Sequence, residues 1–280
     1  MTLQRTERIH TVLSIAGFDG SGGAGIQADT KTVSALGCYA MNVLTALPVQ
    51  NTQGVRTIYD IPTQAVQDQL ETIFDDIYPD SIKIGMVHSV ALVRCIANFL
   101  RDYKGSIVFD PVMVSTSGHR LIQEETIQAC IEELFPLATL ITPNLDEVSV
   151  LVNSNITTLE QMAMAGTKIL SLGSKAVLVK GGHLESDVLT NVLVQVDAET
   201  KQYSSARIDT QNTHGSGCTL SSAIASYLSQ GILLEPAVEM GLHYVYQAIA
   251  ESSQIRIGQG NGPLNHFFNP QKLIRHEMDS

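Results

Sequence analysis

Val12-Leu13-Ser14-Ile15-Ala16 followed by Gly17-Phe18-Asp19-Gly20-Ser21-Gly22-Gly23-Ala24-Gly25 is the stretch that decides the fold. The first five residues form a short, nearly continuous apolar run, the pattern of a buried parallel strand. Five glycines fall within the next nine residues. Ala24–Leu36 then reads as a helix, with Gly37 suited to its end. The same alternation recurs downstream. Apolar runs at Met41–Leu47, Ser81–Ile84, Ile107–Phe109, Ala138–Ile141 and Ala176–Val179 predict strands, and helical patterns over about 62–77, 87–102, 124–135, 144–152 and 158–172 lie between them. Strands and helices in this rhythm predict an α/β fold, a mostly parallel sheet covered by helices on both faces.

After Lys180 the texture changes. Val188–Val196 and Gln202–Ile208 alternate apolar and polar residues around Asp197–Lys201, which predicts an exposed hairpin, serving as an edge addition, a flap or an interface. A small-residue helix is expected from about 218 to 228 and another from about 235 to 252. Gly258 to Ser280 is rich in Gly, Asn and Pro. There is no repeat, linker or low-complexity tract, so one domain over 1–280 is expected.

Composition narrows the function. The chain has 280 residues, 17 Lys plus Arg against 28 Asp plus Glu, and a formal net charge of −11. It is long enough to bury a sizeable core, and at 44% apolar and 16% charged it is too apolar for a disordered chain. An acidic balance argues against nucleic acid or anionic lipid as the main partner. No apolar run approaches the roughly 20 residues needed to span a bilayer, and Met1–His10 carries no apolar signal region. Cys38, Cys95, Cys130 and Cys218 form no CxxC pair, which argues against a zinc ribbon or a dense disulfide frame. A reducing cytoplasm is the expected setting.

Gly20, Gly22 and Gly25 match the G-x-G-x-x-G of dinucleotide sites. Such a site wants an acidic residue about 20 residues further on, for the ribose. From Thr30 to Tyr59 there is no Asp or Glu. A ligand loop needing close backbone approach ranks above the dinucleotide reading, and a tight turn is the structural alternative. A second glycine loop, Asn212-Thr213-His214-Gly215-Ser216-Gly217-Cys218-Thr219, precedes the small-residue helix. Amides converging at a helix start, helped by the helix dipole, suit a transferred phosphoryl group. Cys218 lies where a thiol pKa tends to fall and would be able to accept a proton from a substrate hydroxyl; a small buried cysteine behind a turn is an equal alternative. Walker A, H-R-D, D-F-G, G-x-S-x-G and H-E-x-x-H patterns are all missing.

Three strand ends complete the set. In Thr142-Pro143-Asn144-Leu145-Asp146-Glu147, Asn144 and Glu147 at i, i+3 either hold a hydrated Mg²⁺ or belong to a helix cap, with Asn144 and Glu147 as a capping box or Thr142 as N-cap and Pro143 at N1, and spacing alone favours a cap. Asp110, in Phe109-Asp110-Pro111-Val112-Met113, stands at a strand's carboxyl edge, where ligands of open α/β sheets collect. Lys180, in Val179-Lys180-Gly181-Gly182-His183, is suited to neutralising a phosphate or is a solvated strand-end lysine.

Together these motifs resemble the hydroxymethylpyrimidine/phosphomethylpyrimidine kinases of thiamine biosynthesis, within the ribokinase-like superfamily. The resemblance runs from about Val12 to Gly262-Pro263-Leu264-Asn265-His266-Phe267-Phe268 and includes Ser21 to Asp29, Gln50-Asn51-Thr52 and Lys83-Ile84-Gly85-Met86. It implies a three-layer α/β/α sandwich with a small β flap or edge hairpin. It implies ATP- and Mg²⁺-dependent phosphorylation of 4-amino-5-hydroxymethyl-2-methylpyrimidine and then of its monophosphate. The pyrimidine would lie near Gly17, Asp19 and Ala24, with Gln50 at its edge and Met86 on its face. Gly215, Ser216, Gly217 and Cys218 would form the catalytic anion hole, Cys218 standing where most ribokinase relatives carry Asp. Lys180, Asn144 and Thr213 would handle ATP phosphates, and Asp110 and Glu147 the metal. The family's N-x-x-E use of Asn144 and Glu147 overrides the cap-only preference. A homodimer is implied as well. Phe18, Gly20 and Pro48 depart from the family's usual Ser or Thr, Pro, and small or β-branched residue. They line the substrate loop, so a vitamin B6 kinase is the alternative, and a non-catalytic ligand-binding protein on the same scaffold the second; Gln50-Asn51-Thr52 favours the pyrimidine.

Overall fold

The structure, a computed structural model, describes residues 7–113, 122–182 and 187–277, with the backbone alone at 276 and 277. His183, quoted beside Lys180, lies outside the described residues. In chain order β1 (Glu7–Ile9) and β2 (Thr11–Ala16) precede α1 (Gly25–Ala35), and β3 (Tyr39–Leu44) leads into β4 (Ala46–Asn51) and β5 (Gly54–Asp60). Next come α2 (Thr63–Phe74), β6 (Ser81–Ile84), α3 (Val90–Leu100), β7 (Ser106–Phe109), α4 (Glu124–Ala129) and β8 (Leu140–Ile141). They are followed by α5 (Leu145–Val152), α6 (Leu159–Leu170), β9 (Ala176–Val179), β10 (Val188–Gln195), β11 (Lys201–Ala206), α7 (Ser216–Ser229), α8 (Leu234–Ala250) and β12 (Arg275–Glu277).

The main sheet has the order β11-β10-β9-β8-β7-β6-β2-β3. The six strands from β9 to β3 pair in parallel, and β10 and β11 add antiparallel at one edge. Alternation within each strand sorts side chains between two helical layers. Leu13, Ile15, Ile82, Ile84, Ile107, Phe109, Ile141, Val177 and Val179 pack with residues of α2, α3, α5 and α6. Val12, Val108, Leu140, Ala176 and Leu178 pack with residues of α1, α7 and α8. This is the expected three-layer arrangement, and the 188–208 hairpin is an edge addition to the main sheet.

Two expectations change. The run Met41–Leu47 is not one strand. At Thr45 the chain leaves the sheet, its amide bonded to Ala16 O and its hydroxyl to Met86 O, and Ala46 begins the separate β4–β5 hairpin. Pro48, which has no N–H, is tolerated in this two-stranded sheet as it would not be in a central strand. The pattern over 124–135 is also not one α-helix: α4 stops at Ala129, and a π turn (Cys130–Leu134) and a 3₁₀ turn (Phe135–Leu137) follow. Pro136 cannot donate the bond that would continue the helix.

Candidate functional site

Every strand-end residue singled out from the sequence sits at the carboxyl edge of the parallel strands. Gly17 follows β2, Met86 follows β6, Asp110 follows β7, Asn144 follows β8 and Lys180 follows β9. Since the sheet runs β9-β8-β7-β6-β2, Lys180, Asn144 and Asp110 occupy one half of the edge and Met86 and Gly17 the other. α7 packs across β7, β6 and β2, so its N-terminus opens between the two halves.

On the first half, Lys180 Nζ lies 2.9 Å from Asp110 Oδ1, which also accepts from Thr142 Oγ1 at 3.0 Å. Asn144 and Glu147 form the capping box expected from spacing: Asn144 Oδ1 accepts from Glu147 N at 2.9 Å and Glu147 Oε2 from Asn144 N at 2.8 Å. Glu147 Oε1 takes the Met113 amide at 3.4 Å. Burial pushes the Glu147 acid up; Lys180 pulls it down and Asp110 pushes it up again, to about 7. Burial opposes the Lys180 ammonium, yet Asp110 and Glu147 outweigh it and hold its pKa above the ordinary lysine range. Two carboxylates share one ammonium here, so the buried cluster is short of positive charge.

The phosphate loop reaches the same cluster. A Cβ at Gly217 would stand 3.1 Å from Lys180 Nζ and 3.3 Å from Asp110 Oδ2. α7 begins without a side-chain cap. The Ser216 amide is spent on Thr213 O at 3.1 Å and the Thr219 amide on Gly215 O at 2.9 Å. The amides of Gly217 and Cys218, in the first turn, have no intrahelical acceptor. The anion hole is therefore narrower than the sequence reading: Ser216 gives its amide to the loop itself, and the Thr213 carbonyl shapes the turn.

Cys218 is half-buried, and the Gly25 amide at the start of α1 hydrogen-bonds toward it. The expectation that a helix start lowers its pKa is overturned. Burial pushes the thiol up, Lys83 pulls it down, and Asp29 and Asp110 push it up again, to about 11. The resting group is a thiol, because desolvation outweighs the partial charge of the helix ends.

On the other half, a Cβ at Gly17 would lie 3.5 Å from Met86 Sδ and 3.8 Å from Pro48 Cδ. Met86 is buried, and half-buried Gln50 stands where the pairing of β4 with β5 skips Arg56. The hairpin therefore faces the glycine loop. Asp19 is turned inward. Its fully buried carboxylate takes the Ser21 amide and hydroxyl, the Gly23 and Ala24 amides, and His214 Nε2. Burial works against its charge, but bonds from His214, Ser21 and Ala24 hold it well below the usual carboxylate range. Asp19 shapes the loop, and the Ala24 amide is committed to it. A cleft of about 390 Å³ opens beside the phosphate loop, lined by residues that include Gln211, Asn212, Ile257 and Gly258.

Sequence reading quoted Lys83, Asp29 and His214 within motifs but missed the role of each. A lysine inside the buried run Ser81–Ile84 was the available signal, since unpaired lysine is rarely buried.

Among the described residues, no cluster of three or more His, Cys, Asp or Glu is placed to hold a metal. The oxygen donors Asp110 and Glu147, in a cluster short of positive charge, fit Mg²⁺ that keeps most of its waters. No helix among the described residues is long and apolar enough to cross a membrane.

A family model described as phosphomethylpyrimidine kinase matches residues 19–265. A hydroxymethylpyrimidine/phosphomethylpyrimidine kinase of Rhizobium meliloti is 44% identical over 256 residues, covering 91% of this chain and 96% of that protein. The crystal structure of phosphomethylpyrimidine kinase from Clostridium difficile superposes with a TM-score of 0.76 at 42% identity, over 86% of this chain and 99% of that one. An ADP complex of Bacillus subtilis pyridoxal kinase superposes with a TM-score of 0.84 at 35% identity, over 92% and 98%. The chain also matches bifunctional thiamine-biosynthesis proteins, of which it spans about half, 52% and 47% in two cases.

Proposed function

The chain belongs to the phosphomethylpyrimidine kinase family, and on that premise we propose that it transfers the γ-phosphoryl group of ATP to the hydroxymethyl group of 4-amino-5-hydroxymethyl-2-methylpyrimidine, and then phosphorylates the monophosphate. The observation that carries this reading is the N-terminus of α7, where the uncapped Gly217 and Cys218 amides lie between the Lys180–Asp110 pair and the Gly17–Met86 wall.

The pyrimidine stacks on Met86 beside Gly17, with the Gln50 amide at its polar edge; one apolar wall and a few placed polar groups suit a flat heteroaromatic ring. The phosphates lie over the Gly217 and Cys218 amides, with Lys180 as point charge and Asn144 and Thr213 alongside. The cleft near Gln211 and Asn212 has the volume for the nucleotide's base. Asp110 and Glu147 would hold Mg²⁺ through its waters, and the ion supplies charge neutralisation on the transferred group. As the substrate oxygen attacks phosphorus, the bond to the ADP oxygen breaks, and the hydroxyl proton passes to Cys218 in its thiolate form. Phosphoryl transfer is loose, so positioning and charge provide most of the acceleration and the proton leaves late.

Identity to the family's kinases is higher than to pyridoxal kinase, although the latter superposes well. ADP release with the pyrimidine, its monophosphate and pyridoxine tests the substrate. The expected kcat/KM is highest for the pyrimidine; a higher value for pyridoxine makes the chain a vitamin B6 kinase. We further propose a homodimer, as the family resemblance implies; light scattering in solution tests it.

A further inference from the structure

We propose that the Asp19–His214 contact is a latch between the two glycine loops, and that both are positioning residues fixing the distance from the acceptor hydroxyl to the transferred phosphoryl group. The inference deepens the kinase reading and rests on it.

The partners are 195 residues apart in sequence, and His214 Nε2 lies 2.9 Å from Asp19 Oδ2 with both side chains buried. Four donors from its own loop already reach the Asp19 carboxylate: Ser21 N at 2.9 Å, Ser21 Oγ at 2.7 Å, Gly23 N at 3.1 Å and Ala24 N at 2.7 Å. A carboxylate offers about four lone-pair sites. The loop is therefore satisfied without His214, and the fifth donor joins it to something else. That something is the residue before Gly215, at the entrance to α7.

The backbones meet at the same place. A Cβ on Gly215 would stand 1.8 Å from Gly23 O, and one on Gly23 would stand 2.5 Å from His214 Cδ2. His214 is held from behind, its amide donating to Gly262 O at 3.0 Å and its backbone bridging to Pro263. A loop carrying the acceptor and a loop carrying the phosphate thus share one buried joint. Reacting atoms must approach to about 3–3.5 Å, and misplacement by about 1 Å can cost about 100-fold in rate.

His214→Leu removes the donor and keeps bulk, whereas His214→Gln presents an amide N–H able to reach the same oxygen. Purified variants are compared for thermal melting, for kcat and the KM of each substrate, and for the ratio of inorganic phosphate to phosphorylated pyrimidine. His214→Leu is expected to lower kcat by about 100-fold while each KM stays within about threefold. ATP lost to water should then rise relative to product, and His214→Gln should restore most of kcat. A folded His214→Leu protein with kcat within about twofold of wild type overturns the latch. So does a folded His214→Gln protein no better than His214→Leu. Should the Leu variant not fold, His214→Asn, whose amide is one methylene shorter, takes its place against His214→Gln under the same criteria. A wild-type protein that phosphorylates no pyrimidine overturns the kinase reading instead, which keeps the two failures apart.

Discussion

Lys83 Nζ lies 2.8 Å from Asp29 Oδ2 and 3.0 Å from Oδ1, and neither side chain reaches solvent. Ser14 and Ser222 donate to the same carboxylate at 2.5 Å and 2.7 Å. One buried carboxylate of α1 thereby joins β2, β6 and α7 directly beneath the phosphate loop. Burial opposes the Lys83 charge, but the Asp29 carboxylate first, and Asp110 after it, hold its pKa above the ordinary lysine range. Removing one partner leaves an uncompensated buried charge. Lys83→Met is expected to destabilise the fold by ~3–5 kcal/mol in urea unfolding, and Lys83→Met/Asp29→Leu to recover much of that loss. A single variant within about 1 kcal/mol of wild type contradicts the account.

Gly215 has φ +82°, and a Cβ there would overlap Gly23 O at 1.8 Å. Gly215→Ala is expected to abolish most turnover, by about 100-fold or more, because the amides of α7 and the substrate loop must move apart. Kinetic assay of the purified variant checks this; near-normal kcat contradicts it.

Cys218→Ala is expected to lose most of kcat, by about 100-fold or more, while pyrimidine binding by calorimetry stays close to wild type. Because burial keeps the thiol protonated, with its pKa at about 11, the thiolate fraction grows with pH. In the wild type kcat should rise steeply from about pH 7 to about pH 9, and that slope should vanish in Cys218→Ala. A flat wild-type profile contradicts thiolate as the acceptor.

His266 is buried, with Nε2 3.0 Å from Thr219 Oγ1. Burial, followed by the charge of Lys31, lowers its pKa from 6.5 to about 4. Between those values the folded chain binds fewer protons than the unfolded one, so stability from this residue is complete above about pH 6.5 and is lost as pH falls toward 4. The loss amounts to up to about 3 kcal/mol. Melting temperatures of His266→Gln should fall less steeply with acid than those of wild type; parallel curves contradict the assignment.

The main sheet was legible because buried parallel strands are short apolar runs, and Leu13, Ile82, Ile107 and Val177 declare themselves that way. The strand ends were legible for the same reason, since Gly17, Met86, Asp110, Asn144 and Lys180 each follow such a run. The β4–β5 hairpin was not, because Met41–Leu47 is apolar throughout and its break is made by the Thr45 bonds to Ala16 and Met86, which belong to tertiary structure. Asp19 misled for a similar reason. A carboxylate in a ligand loop reads as a ligand contact, and only the folded chain brings four loop donors and His214 around it. The Cys218 thiol was misjudged because burial depends on what packs over a helix end, which sequence position does not reveal.

The most direct measurement is phosphorus NMR of the purified protein incubated with ATP, Mg²⁺ and 4-amino-5-hydroxymethyl-2-methylpyrimidine. The account predicts a pyrimidine monophosphate resonance that appears with ADP and then gives way to the diphosphate. ADP and inorganic phosphate accumulating beside an unmodified pyrimidine would contradict it.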